Sequence, residues 1–292
     1  MSASKTAVVV VNWNGESYLE ELIRSVDAEK PAQFIAIDNN SSDSSLQILQ
    51  AHPGIALIAN TENVGFGAAA NQGIELSKAA NVLILNADLQ AMPGAIQSLE
   101  KFLDTHNDAG AVAPKLMFPD GNLQPSCRKF PTPSSLFFYL TFLDRIIPIN
   151  YRLSAKQHDD TQTVDQPMGA ALMIRKSILD QIGSFDESYF LYMEDVELCE
   201  RIIRAGWKIY YYPVAEFIHD AGGSSRKDPY NSQKHFVESA LLYFRKKHYE
   251  MGFTKLTIAA AYIIRSLGYF FTGNFKNASN CIRLSKHAFK FE

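Results

Sequence analysis

The chain has 292 residues, 47% of them hydrophobic and 20% charged, with a formal net charge of -3. That composition suits a globular protein with a sizeable core and excludes a surface built throughout for nucleic acid. Charge is unevenly placed, because from Asn231 onward ten Lys and Arg stand against three Glu, and so basic a tail on an acidic body calls for an anionic partner.

The first ninety residues alternate strand and helix. Ala7–Val11 is a continuous β-branched run, as in a strand buried on both faces, and it runs into polar Asn12-Trp13-Asn14-Gly15. An amphipathic helix carries Tyr18, Leu19, Leu22, Ile23 and Val26 on one side. The next strand, Phe34–Ile37, stops at Asp38-Asn39-Asn40-Ser41-Ser42-Asp43, a cluster of helix-capping residues. Ser44–Gln50 reads as helix, Ile55–Ile58 as strand, Ala68–Ala79 as helix, and Asn81–Leu85 as a strand ending at Asn86-Ala87-Asp88. Such alternation predicts a largely parallel sheet covered on both faces, with ligands outside the carboxyl ends of its strands. Those ends carry Asn12–Asn14, Asp38–Asp43 and Asn86–Asp88, although each cluster could serve simply to cap a helix or close a turn.

Farther along, Phe137–Leu143 is an aromatic helix or strand, Lys156–Gln166 is polar and expected to be mobile, and Gly169–Ile174 is a strand. Ser177–Ile182 and Glu194–Ala205 are helical, and Trp207–Tyr212 is a late strand. His219–Asp228 is a loop of Gly, Ser and Lys. Cys127, Cys199 and Cys281 are odd in number and widely spaced, so neither a zinc motif nor a disulfide framework is implied. With no signal-peptide core and no run of ~18 apolar residues, a cytoplasmic location is expected.

Several of these stretches, in order, resemble the family 2 inverting glycosyltransferases of GT-A fold, and among them the rhamnosyltransferase-like branch. They are Val10–Gly15, Ile37–Asp43, Asn63-Val64-Gly65-Phe66-Gly67 with Asn71 and Gly73, and Leu85–Asp88. They continue with Gly183–Glu187, Phe190–Asp195, Leu198-Cys199 with Arg201, Gly206-Trp207, and His219 with Gly222-Gly223-Ser224. The resemblance covers about residues 7–225. It implies an α/β GT-A domain (a Rossmann-like nucleotide-diphospho-sugar transferase with a mixed, largely parallel sheet flanked by helices) over 1–230, and a C-terminal helical appendage over 231–292. It further implies a nucleotide diphosphate sugar donor (dTDP- or UDP-linked), a glycan or polyprenyl-linked acceptor, and synthesis of cell-surface polysaccharide.

The chemistry of such a transfer assigns roles to particular residues. Charge builds on the departing diphosphate, and a divalent cation, Mn²⁺ or Mg²⁺, neutralises it. By resemblance Asp88 is the metal-binding end of a short acidic motif, although Asn86 stands where the family carries a second aspartate. His219 lies about two dozen residues beyond Asp195, the interval expected of a histidine ligand, and imidazole favours Mn²⁺ over Mg²⁺. Asp38 can accept the imide N–H of uracil or thymine, with Asn12, Asn14, Asn71, Asn86 and Arg226 as further donor-binding candidates. An inverting reaction needs a general base, and Asp195 at the start of a helix is assigned to it. Glu194 and Trp207 are candidates for supporting or acceptor-binding roles, and Arg128 with Lys129 for an acceptor phosphate. The turn Asn63–Gly67 could bring backbone N–H groups to the diphosphate; Gly222–Asp228 reads as a lid.

In the tail, Leu256–Phe271 is apolar apart from Thr257, Arg265 and Ser266 and is flanked by basic residues. It is either a peripheral membrane contact or a hairpin packed on the chain itself or on a second subunit of a homo-oligomer. A non-catalytic nucleotide- or carbohydrate-binding domain is the rival reading; loss of Asp88, Asp195 or His219 would be its mark, and all three are present. A transferase using a hexose or N-acetylhexosamine donor is the other.

Overall fold

Seven consecutive buried residues, Thr6–Asn12, make β1, whose valines point into apolar layers on both sides of a sheet. Each buried Val contributes about 2 kcal/mol of transfer free energy. The computed structural model describes residues 4–147, 149–220 and 228–291. After β1 come α1 (Glu16–Glu29), β2 (Gln33–Asp38), α2 (Ser45–Gln50), β3 (Ile55–Ala59), α3 (Phe66–Leu76) and β4 (Asn81–Asn86). These match the expected alternation to within two or three residues. The pairs β1–β2, β2–β3 and β1–β4 are all parallel. Asn12, Asp38 and Asn86 therefore end three strands on one edge of the sheet.

The stretch 89–124, for which the sequence suggested no assignment, supplies β5 (Leu89–Ala91), α4 (Ala95–Thr105), β6 (Ala109–Met117) and β7 (Leu123–Gln124). The N-terminus of α4 is satisfied from a distance: the buried Glu29 carboxylate accepts from Gly94 N–H at 2.6 Å and Ile96 N–H at 3.0 Å. Next come β8 (Cys127–Arg128) and the helix α5 (Pro133–Leu140), then β9 (Gln162–Thr163), β10 (Gln166–Pro167) and β11 (Ala171–Arg175). Finally α6 (Lys176–Ile182) and α7 (Glu194–Arg204) lead to β12 (Lys208–His219). The main path of the sheet runs β3-β2-β1-β4-β11-β6-β12-β5, with β11 antiparallel to its neighbours and β5 antiparallel to β12. This is the mixed, largely parallel sheet flanked by helices that the sequence led us to expect.

One expectation is corrected. The late strand is twice as long as Trp207–Tyr212, because the register shifts between Tyr212 and Glu216 and pairing with β6 resumes as far as Ile218. In the polar segment 156–166 the ring of His158 is buried. Its Nε2 accepts from Ser126 N–H and Cys127 N–H, both at 3.2 Å, and its Nδ1 lies 2.9 Å from Ser154 O.

By compactness the described chain divides into two units. One comprises the residues up to Arg128, then Leu153–Phe190, then Glu194 through the end of β12. Its core joins the valines of β1 to Leu19, Leu22 and Ile23 of α1, Ile96 and Leu99 of α4, and Phe217 of β12. The other comprises Lys129–Arg152, Leu191–Met193 and the chain from Asp228 on. In it α8 (Pro229–Lys246), α9 (Met251–Phe271) and α10 (Phe275–Lys290) pack together with α5. A capping box between Thr132 and Ser135, with Pro133 at the first turn, makes 133–140 a helix rather than a strand. Among the described residues no helix is long and apolar enough to cross a membrane.

Candidate active site

The last residues of β1 and β2 are cross-braced. Asn12 Nδ2 donates to Asp38 Oδ1 at 2.9 Å and to Ser41 Oγ at 3.1 Å, while Ser41 gives its hydroxyl and its N–H to the two oxygens of Asp38. Asn12 is wholly buried and Asp38 nearly so. Asn12 therefore orients the Asp38 carboxylate. Asn14, at φ 53°, turns the chain and accepts Ser42 N–H at 2.7 Å. Ser41, which the sequence did not single out, is the hub of this network.

Asp88 and His219 meet. The backbone of β5 pairs with β12 so that Leu89 faces His219, and Asp220 N–H donates to Asp88 O at 3.1 Å. Nδ1 of His219 lies 2.7 Å from Gln124 Oε1, an acceptor, so Nδ1 carries the ring proton. Nε2 lies 3.2 Å from Asp88 Oδ1, and an imidazole nitrogen and a carboxylate oxygen so placed are a donor pair that a divalent cation can share. Adjacent ligands on an octahedral ion with bonds of about 2.1 Å stand roughly 3 Å apart, so this separation suits Mg²⁺ or Mn²⁺. Among the described residues there is no cluster of three or more His, Cys, Asp or Glu that could hold a metal ion. Gln124 had no signal in the sequence, since a glutamine two residues into an irregular stretch looks like any surface polar group.

Asp195 opens α7 on the same edge. Its Oδ2 accepts Gly169 N–H at 2.9 Å and its Oδ1 accepts Val196 N–H at 2.8 Å. Gly169 directly precedes Ala170, whose carbonyl accepts Asn86 N–H at 2.9 Å. A short path of hydrogen bonds and chain thus joins the Asp195 carboxylate to the Asn86–Asp88 turn. Contact is so close that a Cβ on residue 169 would sit 2.7 Å from that of Asp195. Burial pushes the Asp195 carboxyl above the usual range, opposed by its two backbone donors and by the field of Arg128. Glu194 is buried beside it, and burial together with Asp195 pushes its carboxyl well up. Among the described residues its Oε2 finds no hydrogen-bond partner. The two residues before it, Tyr192 and Met193, have φ of 71° and 67°, uncommon for side chains of this size.

Other expected positions fall elsewhere. Asn71 is engaged within the protein: its Nδ2 donates to Phe185 O and Glu187 Oε1, and its Oδ1 accepts Phe185 N–H, each at 2.9 Å. It therefore fastens α3 to the 185–187 turn. The Asn63–Gly67 turn does the same job farther along, since Phe66 N–H donates to Phe190 O at 2.8 Å and Gly65 lies at φ 89° with no room for a Cβ against that carbonyl. Trp207 precedes β12 at its start, whereas His219 closes the same strand. Twelve residues of strand put Trp207 on the order of 30 Å from the site edge, too far for an acceptor contact. Arg226 and the Gly222-Gly223-Ser224 stretch lie outside the described residues.

Comparison with known proteins shows the family and the fold. The family model "Glycosyl transferase family 2" matches residues 7–183. An N-acetylglucosaminyl-diphospho-decaprenol L-rhamnosyltransferase of Mycobacterium tuberculosis is 30% identical over 259 residues, 82% of this chain and 84% of its own length. The rhamnosyltransferase WbbL of Escherichia coli K12 is 26% identical over 82% of this chain and 92% of its own. Among solved structures, the mannosyltransferase PcManGT of Pyrobaculum calidifontis, in complex with GDP-Man and Mn²⁺, superimposes with a TM-score of 0.58 at 15% identity. That alignment covers 98% of this chain and 85% of the mannosyltransferase.

Proposed function

This chain belongs to glycosyl transferase family 2, in its rhamnosyltransferase-like branch, and on that footing we propose that it moves L-rhamnose from a nucleotide diphosphate to a polyprenyl-linked glycan, with inversion at the anomeric carbon. The observation that carries the reading is the convergence of Asp38, the Asp88–His219 pair and Asp195 on one edge of the sheet. The rhamnosyl donor and the lipid-linked acceptor are suggested by the Mycobacterium relative, whose name includes both.

In this mechanism Asp38, held by Asn12 and Ser41, accepts an N–H of the donor base. Asp88 and His219 would hold a divalent cation, which offsets charge on the leaving diphosphate. Asp195, its carboxylate aimed by Gly169 and Val196 N–H groups, takes the proton from the acceptor hydroxyl as that oxygen attacks the anomeric carbon. The elevated carboxyl of Asp195 improves it as a base, since a carboxylate of ordinary acidity is a poor proton acceptor near neutrality. Glu194, whose buried carboxyl is likewise pushed up, adds less repulsion against the charged form of its neighbour whenever it is protonated.

The test is a panel of nucleotide sugars assayed for nucleoside diphosphate release, with Mn²⁺, with Mg²⁺ and with chelator. Release from dTDP-rhamnose that requires metal and a polyprenyl diphosphate-linked acceptor supports the reading. Turnover of another sugar alone would overturn the donor assignment, and undiminished release in Asp195→Asn would remove the base.

A further inference from the structure

The second unit carries a surface at odds with exposure to water. Helix α9 is 21 residues long, about 30 Å, and its exposed residues are all apolar or glycine. They run from Phe253 and Leu256 through Ile263, Ile264 and Leu267 to Phe271, which is 84% exposed. Its two cations do not interrupt that face, for Lys255 Nζ donates to Phe291 O and Arg265 lies over the rings of Phe142 and Tyr262. A helix packed on one side of a water-soluble protein carries polar residues on the other, and a contiguous apolar strip of this length marks an interaction surface.

The neighbouring helix tells what kind. The exposed side of α10 sets Phe275, Ile282 and Phe289 beside Lys276, Arg283, Lys286 and Lys290. From Met251 to Phe291 there are six Lys and Arg and not one Asp or Glu. Phe270 and Phe275 pack edge to face at the turn between the two helices, with ring centres 5.5 Å apart. A groove of about 280 Å³ between α5 and α9, walled by Phe137, Phe138, Phe253 and Leu256, extends the apolar strip sideways.

We propose that the α9–α10 hairpin is a membrane-docking surface that lies in the plane of an anionic bilayer, with the uncharged face of α9 among the acyl chains and the Lys and Arg of α10 at the phosphates. This deepens the lipid-linked acceptor of the proposed function, and for its biological purpose it rests on that reading. Charge decides against a second copy as the occupant. A two-fold contact would bring two acid-free, basic hairpins together, whereas a negatively charged leaflet attracts each Lys and Arg near its surface. Arg265, Lys255 and the basic edge of α10 also explain why the segment lies on a bilayer and does not cross it.

Sedimentation of the full chain with vesicles tests this without any transfer reaction. The chain should bind vesicles rich in phosphatidylglycerol, bind phosphatidylcholine vesicles at least tenfold more weakly, and lose binding as salt rises. Leu267→Glu/Phe271→Glu, at exposed positions, should lower binding to anionic vesicles by tenfold or more with an unchanged melting curve, and Lys286→Glu/Lys290→Glu should abolish the preference for the anionic lipid. Both variants should keep wild-type turnover on a water-soluble acceptor analogue. Failure of the wild-type chain to bind anionic vesicles, or full binding by the apolar double variant, overturns the proposal. So does a wild-type oligomer, seen by sedimentation velocity, that the apolar variant converts to monomer. If vesicles bind as expected but no sugar is transferred, the docking surface stands and the proposed function falls.

Discussion

Replacing Gly169 by Ala is the sharpest perturbation of the base that leaves every proposed ligand of the donor in place. The added methyl would lie 2.7 Å from Asp195 Cβ, 3.0 Å from Oδ2 and 3.2 Å from Cγ. Carbon atoms rest at about 3.5–4.0 Å, so the Asp195 side chain or the 168–170 backbone must retreat by close to 1 Å. Crowding of this kind costs about 1–3 kcal/mol in stability, and a base misplaced by that distance loses roughly 10²-fold in rate. The three atoms nearest the added methyl all belong to Asp195, so the expected signature is a kcat lowered about 10²-fold with donor KM and metal dependence far less affected. Steady-state kinetics with donor and metal titrated separately, alongside thermal melting, would read it. A kcat within twofold of wild type, or a donor KM that rises in step with the loss of rate, would refute the link between Gly169 and proton transfer.

Gln124→Leu releases the His219 ring from its one assigned tautomer and should weaken Mn²⁺-dependent donor binding by about 10–100-fold, measured by calorimetry with and without metal. Rate should rise with pH along an acid limb that lies above the ordinary carboxylate range, because Asp195 acts deprotonated and burial raises its carboxyl; a limb near the pKa of a free aspartate would contradict this. Glu194 predicts a stability effect of opposite sense. A folded-state pKa above the unfolded value means the folded chain binds more protons, so stability falls as pH climbs out of the ordinary glutamate range through the raised value. Glu194→Gln should remove that decline and raise Tm at neutral and alkaline pH, and an equal slope in both proteins between pH 5 and 9 would exclude the buried carboxyl as its source.

The sheet was legible where sequence and burial are tied directly. Val8–Val11 and Ile35–Ile37 could hardly be anything but doubly covered strands, and the polar residues that close them had to share an edge once the strands were parallel. Asp88, Asp195 and His219 were legible for the same reason, each standing where an apolar run stops. Gln124, Ser41 and Gly169 were not, because what they do depends on a partner 95, 3 or 26 residues away, and only the fold supplies that partner. Asn71 and Trp207 were legible only as members of family-like stretches: Asn71 fastens α3 to the 185–187 turn, and Trp207 directly precedes the strand that His219 ends. Motif membership marked the segment correctly and said nothing about which way its side chain faces.

The pairing of β5 with β12 sets a timetable for biosynthesis. Leu89 and His219 are about 130 residues apart in the chain yet adjacent in the ladder, and closing a connection of that length is a slow step. Asp88 leaves the ribosome early and waits for its imidazole partner until the final strand has been translated and has threaded between β6 and β5. The Asp88–His219 pair is thus absent from every truncated or nascent form that lacks β12.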